Sequence, residues 1–206
     1  MRLFVAIDIE DAIRQRISRF VEGVRGFAPD ARWINPESFH ITLKFLGEMS
    51  EDRVADIKNA LAQVQAPATT ISFRGTGFFP TPKSARVFWI GIEADEHLRA
   101  LAASVDDALQ SLPRLGVERE RNPYRPHLTL ARGPGHARKR ASGNPHQKAD
   151  APSSAFRRLQ EKLAAMSEAD FGTDFGTMTA REYFLYESKL SPAGARYTKI
   201  ARFVLQ

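Results

Sequence analysis

The stretch NPESFHITLKFLG (residues 35–47) is matched later in the chain by NPYRPHLTLARG (residues 122–133). Both stretches begin with Asn-Pro, continue with three further residues, and then read His, an aliphatic residue, Thr and Leu. The two copies are separated by nearly half of the chain, which is too long a period for a solenoid repeat. The duplication therefore predicts two similar lobes, each of which contributes one His-x-Thr strand.

The first copy is expected to form a strand whose two faces differ in chemistry. Side chains on a strand point alternately to its two faces. His40, Thr42 and Lys44 therefore share one face. Phe45 and the aliphatic residues of the motif share the other face, which we expect to belong to the core. The polar face presents an imidazole and a hydroxyl group.

The second copy has the same alternation. His127 and Thr129 share one face, and Leu128 and Leu130 share the face opposite. A single His-x-Thr pair is most often an ordinary structural feature, but two histidines at matched positions of an identical frame need a common explanation. We therefore treat the four polar side chains of the two motifs as one candidate site.

The rest of the chain predicts an α+β fold with antiparallel strands. Apolar runs that alternate with polar residues lie between helical segments, without the strict strand-helix alternation of a doubly wound sheet. Apolar residues recur at three- and four-residue spacing, which predicts helices, in four segments: residues 13–24, 54–64, 98–112 and 156–166.

The chain is basic, with a net charge of +6 over 206 residues and a sequence pI of about 9.8. A basic surface favours a polyanionic partner such as nucleic acid. Much of this charge surrounds the second motif. The basic residues between positions 114 and 140 are Arg114, Arg119, Arg121, Arg125, Arg132, Arg138, Lys139 and Arg140.

Residues 134–152 contain no Val, Ile, Leu, Met or aromatic residue. A segment of this composition cannot bury enough apolar surface to offset the conformational entropy that it loses on ordering. We expect a mobile basic loop inside one domain that spans residues 1–206, rather than a linker between two domains.

Composition also limits the cellular compartments that are consistent with the sequence. The chain has no cysteine, which excludes a disulfide framework and any cysteine-ligated metal site. The N-terminal apolar run is too short for a signal peptide, and no apolar run approaches the length of a membrane span. We expect a cytoplasmic protein that does not associate with membranes.

Paired histidines suit a displacement reaction at phosphorus. Such a reaction needs a base for the incoming oxygen and an acid for the leaving oxygen, and an imidazole serves as either near neutral pH. Threonine hydroxyls can donate hydrogen bonds to the non-bridging oxygens, and an arginine can add a charged, bidentate contact. A metal site is less consistent with the sequence, because no third ligand has a suggestive spacing from the two histidines.

The motifs HITL (residues 40–43) and HLTL (residues 127–130) resemble the paired signatures of the two-histidine phosphoesterase superfamily. The stretches RLFVAIDI, HITLKFLGE, GTGFFPTPKSARVFWIGI and HLTLAR together are similar to its RNA 2′,3′-cyclic phosphodiesterase branch, also called the 2′-5′ RNA ligase family. The resemblance extends over nearly the whole chain, apart from residues 134–152.

The resemblance implies a bilobal α+β fold. Two pseudo-symmetric lobes are expected to present antiparallel sheets to a central cleft and to carry their helices on the outer faces. The implied activity is hydrolysis of RNA 2′,3′-cyclic phosphodiester ends to 2′-phosphomonoesters, without a metal or other cofactor. Some members also join or cleave 2′-5′ linkages in tRNA halves. We expect the protein to act on RNA as a monomer.

The same resemblance implies the roles of five residues. His40 corresponds to the proton donor for the leaving 3′ oxygen, and His127 corresponds to the proton acceptor that activates water. Thr42 and Thr129 correspond to phosphate-binding threonines, and Arg132 corresponds to the arginine that follows the second motif. The near symmetry of the two frames does not by itself decide which histidine is the acid.

Arg132 conflicts with simple alternation. By alternation it falls on the face of Leu128 and Leu130, away from His127. For Arg132 to reach a phosphate, the strand must end or form a bulge near Ala131. The Gly-Pro that follows Arg132 favours an early end of the strand.

Two other functions are consistent with the sequence. One is a non-catalytic RNA-end-binding protein that keeps the cleft without turnover. The other is a two-histidine phosphodiesterase for small cyclic nucleotides or for 2′-5′ oligonucleotides. Phe4, Phe78, Phe79 and Trp89 are candidates for base stacking, although aromatic residues in strands more often belong to the core.

Overall fold

Helices form where apolar residues recur every three or four positions. The computed structural model describes residues 1–112, 115–119, 122–134, 154–166, 173–191 and 194–206. Within this part of the chain, the α-helices are α1 (Asp11–Val24), α2 (Val54–Ala62), α3 (Glu96–Gln110) and α4 (Arg157–Ala165).

The four predicted helices are confirmed, and their ends have local causes. α3 ends at Gln110 rather than at Leu112, because a residue that precedes proline disfavours helical backbone angles and Pro113 follows Leu112. Phe156 belongs to a 3₁₀ turn that leads into α4 rather than to the helix itself.

Strands in the described residues form one antiparallel sheet with the order β7-β4-β5-β6-β3-β1-β8-β9, and β2 pairs with β6. The strands are β1 (Arg2–Asp8), β2 (Arg32–Trp33), β3 (His40–Glu48), β4 (Thr69–Phe79), β5 (Val87–Ala94), β6 (His127–Arg132), β7 (Asp174–Ala180), β8 (Glu182–Ser191) and β9 (Gly194–Val204).

The sheet consists of two four-stranded halves that meet at the motif strands. The first half has the order β9-β8-β1-β3, and the second half has the order β7-β4-β5-β6. β3 and β6 join them through the antiparallel pair of Ile41 and Leu128. The predicted α+β fold with antiparallel strands is confirmed, and the sheets of the two lobes are continuous through this contact.

The helices cover one face of the sheet and share one core between the halves. α1 follows β1 of the first half but contacts β7 of the second half. α3 follows β5 of the second half but contacts β3 of the first half. Each half therefore supplies the helix that covers part of the other, and one apolar cluster contains residues from both. None of the four helices in the described residues covers the opposite face of the sheet.

Part of the sequence interpretation lies outside the described residues. The predicted basic loop at 134–152 does so from residue 135 onward. β8 and β9 pair antiparallel, and residues 192–193 between them also lie outside the described residues. None of the described helices has both the length and the apolar character that a membrane span requires.

Candidate active site

β3 and β6 bring the two motifs together. At their junction Ile41 lies opposite Leu128, and both side chains are fully buried in the core beneath the helices. The residues that flank them in each strand point away from the helices. We call this side of the sheet the site face, and it carries the half-buried side chains of His40, Thr42, His127 and Thr129.

The antiparallel pairing places each histidine beside the threonine of the other motif. Extending the register by one residue in either direction brings His40 next to Thr129 and brings Thr42 next to His127. The four side chains therefore form one polar patch with approximate two-fold symmetry. An anion above this patch could meet an imidazole from each strand and a hydroxyl from each strand.

Both imidazoles are held by the same backbone contact. His40 Nδ1 lies 2.8 Å from the carbonyl oxygen of Ser38, and His127 Nδ1 lies 2.8 Å from the carbonyl oxygen of Arg125. A carbonyl oxygen only accepts hydrogen bonds, so Nδ1 carries the hydrogen in each ring. This tautomer leaves Nε2 of both neutral rings free to accept a proton.

The two Asn-Pro frames reach this geometry through different local structures. Pro36–Ser38 forms a 3₁₀ turn, which the Asn35 side chain caps by accepting a hydrogen bond from a backbone amide at 3.1 Å. Residues 122–126 form no helical turn. Instead the Tyr124 hydroxyl donates to the carbonyl of Thr42 at 2.9 Å and ties the second frame to β3. The identical sequence frame therefore encodes a common histidine geometry and not a common backbone.

Burial keeps both histidines neutral in the free site. Loss of hydration, together with a smaller effect of the positive charge of Arg132, lowers the pKa of His40 to about 4, although the Ser38 carbonyl contact and Asp8 oppose the shift. Burial likewise lowers the pKa of His127, and Arg132 again acts in the same direction. A bound anion would favour the protonated form of either ring.

A bulge in β3 follows the first motif. Val5 of β1 lies opposite Lys44, and Ala6 lies opposite Thr42, so Leu43 is an extra residue in its strand. An extra residue shifts the alternation of side chains by one position. Leu43 and Lys44 are accordingly both buried, although they are neighbours in a strand.

Because of this bulge, Lys44 and Phe45 each lie on the face of the sheet opposite to the one that simple alternation predicted. That prediction was wrong for both residues. Lys44 lies on the helix side, where its ammonium group forms an ion pair with Asp106 of α3 at 2.7 Å and donates to the carbonyl of Glu118 at 2.7 Å. Phe45 lies on the site face with 58% of its surface exposed, and its ring centroid is 6.0 Å from that of Phe4.

β6 has a bulge at the corresponding place. Phe88 of β5 lies opposite Ala131, and Trp89 lies opposite Thr129, so Leu130 is the extra residue. Leu130 and Ala131 are both buried. The matching positions of the two bulges extend the internal symmetry beyond the residues of the motifs.

The second bulge resolves the conflict at Arg132. β6 continues through Arg132, so the early end that Gly-Pro suggested is wrong, and the bulge returns this exposed arginine to the site face. Its charge acts on the pKa of His40, of His127 and of Tyr197. Arg132 is therefore electrostatically coupled to both imidazoles.

Aromatic rings surround His40. The imidazole lies 4.8 Å from the ring of Phe4, and Tyr197 of β9 meets it edge-on at 5.2 Å. Phe4 is 3% exposed and stacks on Tyr186 at 5.0 Å. These contacts fix the orientation of His40, and they account for the burial that depresses its pKa.

His127 has its own aromatic neighbours on the second half of the sheet. Phe79 meets the imidazole edge-on at 5.0 Å, and the Trp89 ring lies 6.5 Å away. Phe78 faces the other way and stacks on Phe88 in the core at 5.0 Å. Of the four aromatic candidates from the sequence, Phe4, Phe79 and Trp89 therefore lie at the site, and Phe78 does not.

Sequence reasoning missed an ionic cluster beside His40. Asp8 lies directly opposite His40 on β1 and contacts Arg14 of α1 at 2.8 Å and Lys199 of β9. Burial acts to raise the pKa of Asp8, but Lys199, the Ile9 amide and Arg14 outweigh it and hold the pKa below its usual value. Asp8 and Lys199 are 191 positions apart, and no local pattern connects them.

His97 is described by the structure and does not join the motifs. His97 lies in the first turn of α3, where Nδ1 is 3.4 Å from the carboxylate of Asp95. His136 and His146 lie outside the described residues. No group of three or more His, Cys, Asp or Glu side chains in the described part of the chain could hold a metal ion.

The fold and the paired motifs indicate a class of phosphoesterase, and comparison with known proteins identifies it. Residues 7–89 match the family model described as LigT like Phosphoesterase. The structure of E. coli LigT complexed with 3′-AMP superposes with a TM-score of 0.71 at 25% sequence identity, over 99% of this chain and 97% of that one.

Curated relatives extend this similarity over the whole chain. The RNA 2′,3′-cyclic phosphodiesterase of Archaeoglobus fulgidus is 32% identical over 203 residues, which cover 98% of this chain and 99% of the relative. The protein of the same name from Methanothermobacter thermautotrophicus is 30% identical, over 100% of this chain and 99% of the relative. The chain belongs to the RNA 2′,3′-cyclic phosphodiesterase family of LigT-like phosphoesterases.

Proposed function

We propose that this protein hydrolyses RNA ends that carry a 2′,3′-cyclic phosphate and yields a 2′-phosphomonoester. The names of its full-length relatives support this substrate class. The observation that carries the proposal is the pair of imidazoles on the site face, each with Nδ1 held by a backbone carbonyl and Nε2 left free. A displacement at phosphorus needs one proton acceptor and one proton donor in that arrangement.

In the proposed reaction, water attacks the phosphorus atom and the bond to the 3′ oxygen breaks. Nε2 of His127 takes a proton from the attacking water. Nε2 of protonated His40 gives a proton to the departing 3′ oxygen. The product carries the phosphate on the 2′ oxygen and a free 3′ hydroxyl, and the two histidines exchange protonation states over one turnover.

The surroundings of the two histidines support this assignment of acid and base. Asp8 lies opposite His40 and favours its protonated form, whereas the residue opposite His127 is Gly91. The cyclic phosphate brings a negative charge to a site where both imidazoles are neutral. Asp8 therefore adds to the effect of the bound anion in favouring protonated His40, and His127 has no carboxylate at the corresponding position.

Thr42, Thr129 and Arg132 would act on the non-bridging oxygens. Negative charge on these oxygens grows as the attacking oxygen approaches, and donors that are already oriented stabilise it. The two hydroxyls lie between the imidazoles, and Arg132 supplies a positive charge at one side of the patch. Both motifs belong to one chain, so a monomer that spans residues 1–206 would contain a complete site.

The same steps accommodate a second nucleophile. An RNA 5′ hydroxyl in place of water would attack the same phosphorus atom and form a 2′-5′ linkage, with His127 as its base. We propose that joining of this kind, as between tRNA halves, occurs at the same site, so it should be lost together with hydrolysis when either histidine is replaced.

Product analysis with a short RNA that ends in a 2′,3′-cyclic phosphate tests the proposal. We expect a product that a phosphatase converts to a free end and that carries its phosphate on the 2′ oxygen. The activity should persist in excess chelator. His40→Ala and His127→Ala should each lower turnover by at least about 10²-fold while circular dichroism shows a folded protein. Full activity in either variant would overturn the mechanism, and binding without turnover by the wild type would favour a non-catalytic RNA-end binder.

A further inference from the structure

Two arginines lie directly opposite each other at one side of the site. β2 and β6 pair antiparallel, with Arg32 opposite Arg132 and Trp33 opposite Ala131. Trp33 packs on the core, where its indole N–H donates to the carbonyl of Ala28 at 3.0 Å. Cross-strand neighbours share a face of the sheet, so Arg32 and Arg132 both point to the side opposite Trp33, which is the site face.

Within the part of the chain that the structure describes, no residue neutralises the positive charge of this pair. Both side chains are exposed, and neither makes a hydrogen bond or an ion pair with any other residue in the described part of the chain. Like charges directly opposite each other on neighbouring strands are unfavourable for folding. Two guanidinium groups held side by side without a carboxylate are suited to bind anionic oxygens.

In the other half of the molecule, the corresponding arginine is paired with a carboxylate. When the two Asn-Pro frames are aligned, Arg32 corresponds to Arg119. Arg119 donates to the carboxylate of Asp107 at 2.6 Å and is neutralised by it. Phe45 occupies the position that corresponds to Arg132, because each follows its bulge. The pair of unneutralised arginines therefore occurs on the β2–β6 side of the site and has no counterpart beside β3.

We propose that Arg32 binds the backbone phosphodiester that joins the terminal nucleotide to the one before it, while Arg132 contacts the cyclic phosphate. Cross-strand Cα atoms lie roughly 4.5–5.5 Å apart, and two arginines with this spacing can reach two successive phosphates of one strand. This inference rests on the proposed function and adds to it a preference for oligoribonucleotides. A 2′,3′-cyclic mononucleotide lacks the phosphate that Arg32 would bind.

Kinetics with two substrates test the assignment. A dinucleotide that ends in a 2′,3′-cyclic phosphate contains one backbone phosphodiester, and the 2′,3′-cyclic phosphate of a single nucleoside contains none. Arg32→Ala should raise KM for the dinucleotide by roughly tenfold, the loss expected for one hydrogen bond to a charged group. It should leave kcat for the dinucleotide, and both constants for the mononucleotide, nearly unchanged. Arg32→Lys should restore part of the difference.

Arg119→Ala is the matched control, because Arg119 holds the corresponding position and is paired with Asp107. It should not alter the ratio of kcat/KM between the two substrates. Arg32→Ala should also weaken the salt dependence of binding for the dinucleotide alone, since one phosphate contact is lost. Thermal unfolding should show that Arg32→Ala is at least as stable as the wild type, because the substitution removes a repulsion.

Equal losses on both substrates, or no loss on the dinucleotide, would overturn the assignment of Arg32. Binding of 3′-phosphorylated dinucleotide and 3′-phosphorylated nucleoside to the wild type and to Arg32→Ala, measured by calorimetry, gives the same comparison without turnover. If the wild type hydrolyses neither cyclic substrate, the proposed function fails, and the binding measurements still decide whether Arg32 contacts the backbone phosphate.

Discussion

The strand that carries His40 and the strand that carries His127 have the same backbone plan and different side chains around it. Each motif strand pairs with the other at one central residue, and each has a bulge one residue after its threonine. The residue that the bulge returns to the site face is Phe45 in β3 and Arg132 in β6. The backbones of the two motif strands are nearly symmetric, but the charges of the side chains around them are not.

The residues opposite the histidines differ in the same way. Asp8 lies opposite His40, and Gly91 lies opposite His127. A carboxylate could not simply occupy the second position, because a Cβ atom on Gly91 would lie 2.4 Å from the carbonyl oxygen of Arg74. The symmetric backbone thus supplies two equivalent imidazoles, while the asymmetric neighbours favour one as acid and give the substrate one direction across the site.

The largest effect is expected from replacing either histidine, and the chemistry of the leaving group separates their roles. His40→Ala and His127→Ala should each lower kcat by about 10²–10⁴-fold on the natural substrate. A cyclic substrate with sulfur in place of the 3′ bridging oxygen has a leaving group that needs no proton. His40→Ala should therefore recover most of its activity on this substrate, whereas His127→Ala should not.

Rate measurements on both substrates with both variants provide the comparison. The double variant should lose little more than either single variant, because groups that act in one step are not additive. Recovery of His127→Ala instead of His40→Ala would reverse the assignment of acid and base. Recovery of neither variant would show that protonation of the leaving oxygen is not the role of these residues.

The next effect concerns stability at the first bulge. Lys44 is buried and paired with Asp106, while the corresponding residue in β6 is the buried Ala131, which needs no partner. Lys44→Met should lower the free energy of unfolding by about 3 kcal/mol, because it leaves the Asp106 carboxylate buried without this ammonium group. Urea unfolding measures the change. The double variant Lys44→Met/Asp106→Asn should recover part of it, and a loss in the single variant that the double variant does not reduce would contradict this account.

The residues that follow the two bulges should differ in their effect on the reaction. Arg132→Ala should lower kcat/KM by about 10²-fold, the loss expected when one preorganised donor to the developing charge is removed. Phe45→Ala should change kcat/KM by less than about tenfold, because Phe45 carries no charge and is mostly exposed. Steady-state kinetics on one RNA substrate compare the two variants directly. Similar losses in both would mean that the asymmetry of charge does not serve the reaction.

Local rules predicted the parts of the site that depend on a strand alone. The alternation of His40 with Thr42, and of His127 with Thr129, follows from the two-residue period of a strand, and these four side chains do share the site face. Helix positions followed equally from apolar spacing.

Alternation failed where the strand partner, rather than the strand itself, determines the geometry. The extra residue Leu43 exists only relative to Val5 and Ala6 on β1, so nothing in HITLKFLG reveals that Lys44 turns inward. The cluster of Asp8 with Lys199 likewise joins the two ends of the chain. A single sequence contains the residues of such contacts, but it does not contain their pairing.

The smallest effect is a pH dependence of stability that also separates the two strands. The pKa of His40 is lowered to about 4 in the folded protein from the ordinary value of 6.5 that applies to an unfolded chain, because burial disfavours the charged ring. Below pH 6.5 the unfolded chain gains a proton that the folded chain does not bind, so stability falls as the pH decreases from about 6.5 toward 4. The pKa of His127 shifts in the same direction.

Urea unfolding between pH 7.5 and pH 5 measures how the free energy of unfolding changes with pH. His40→Gln removes the titrating ring, so its stability should fall less steeply than that of the wild type over this range. The pKa of Asp8 lies below its usual 3.8, and its contribution is lost at lower pH than this window. Thr42→Val alters the same patch without removing a titrating group, and it should keep the slope of the wild type. An unchanged slope in His40→Gln would mean that the His40 imidazole is hydrated in solution, and the aromatic contacts of β1 and β9 would then not be what keeps it neutral.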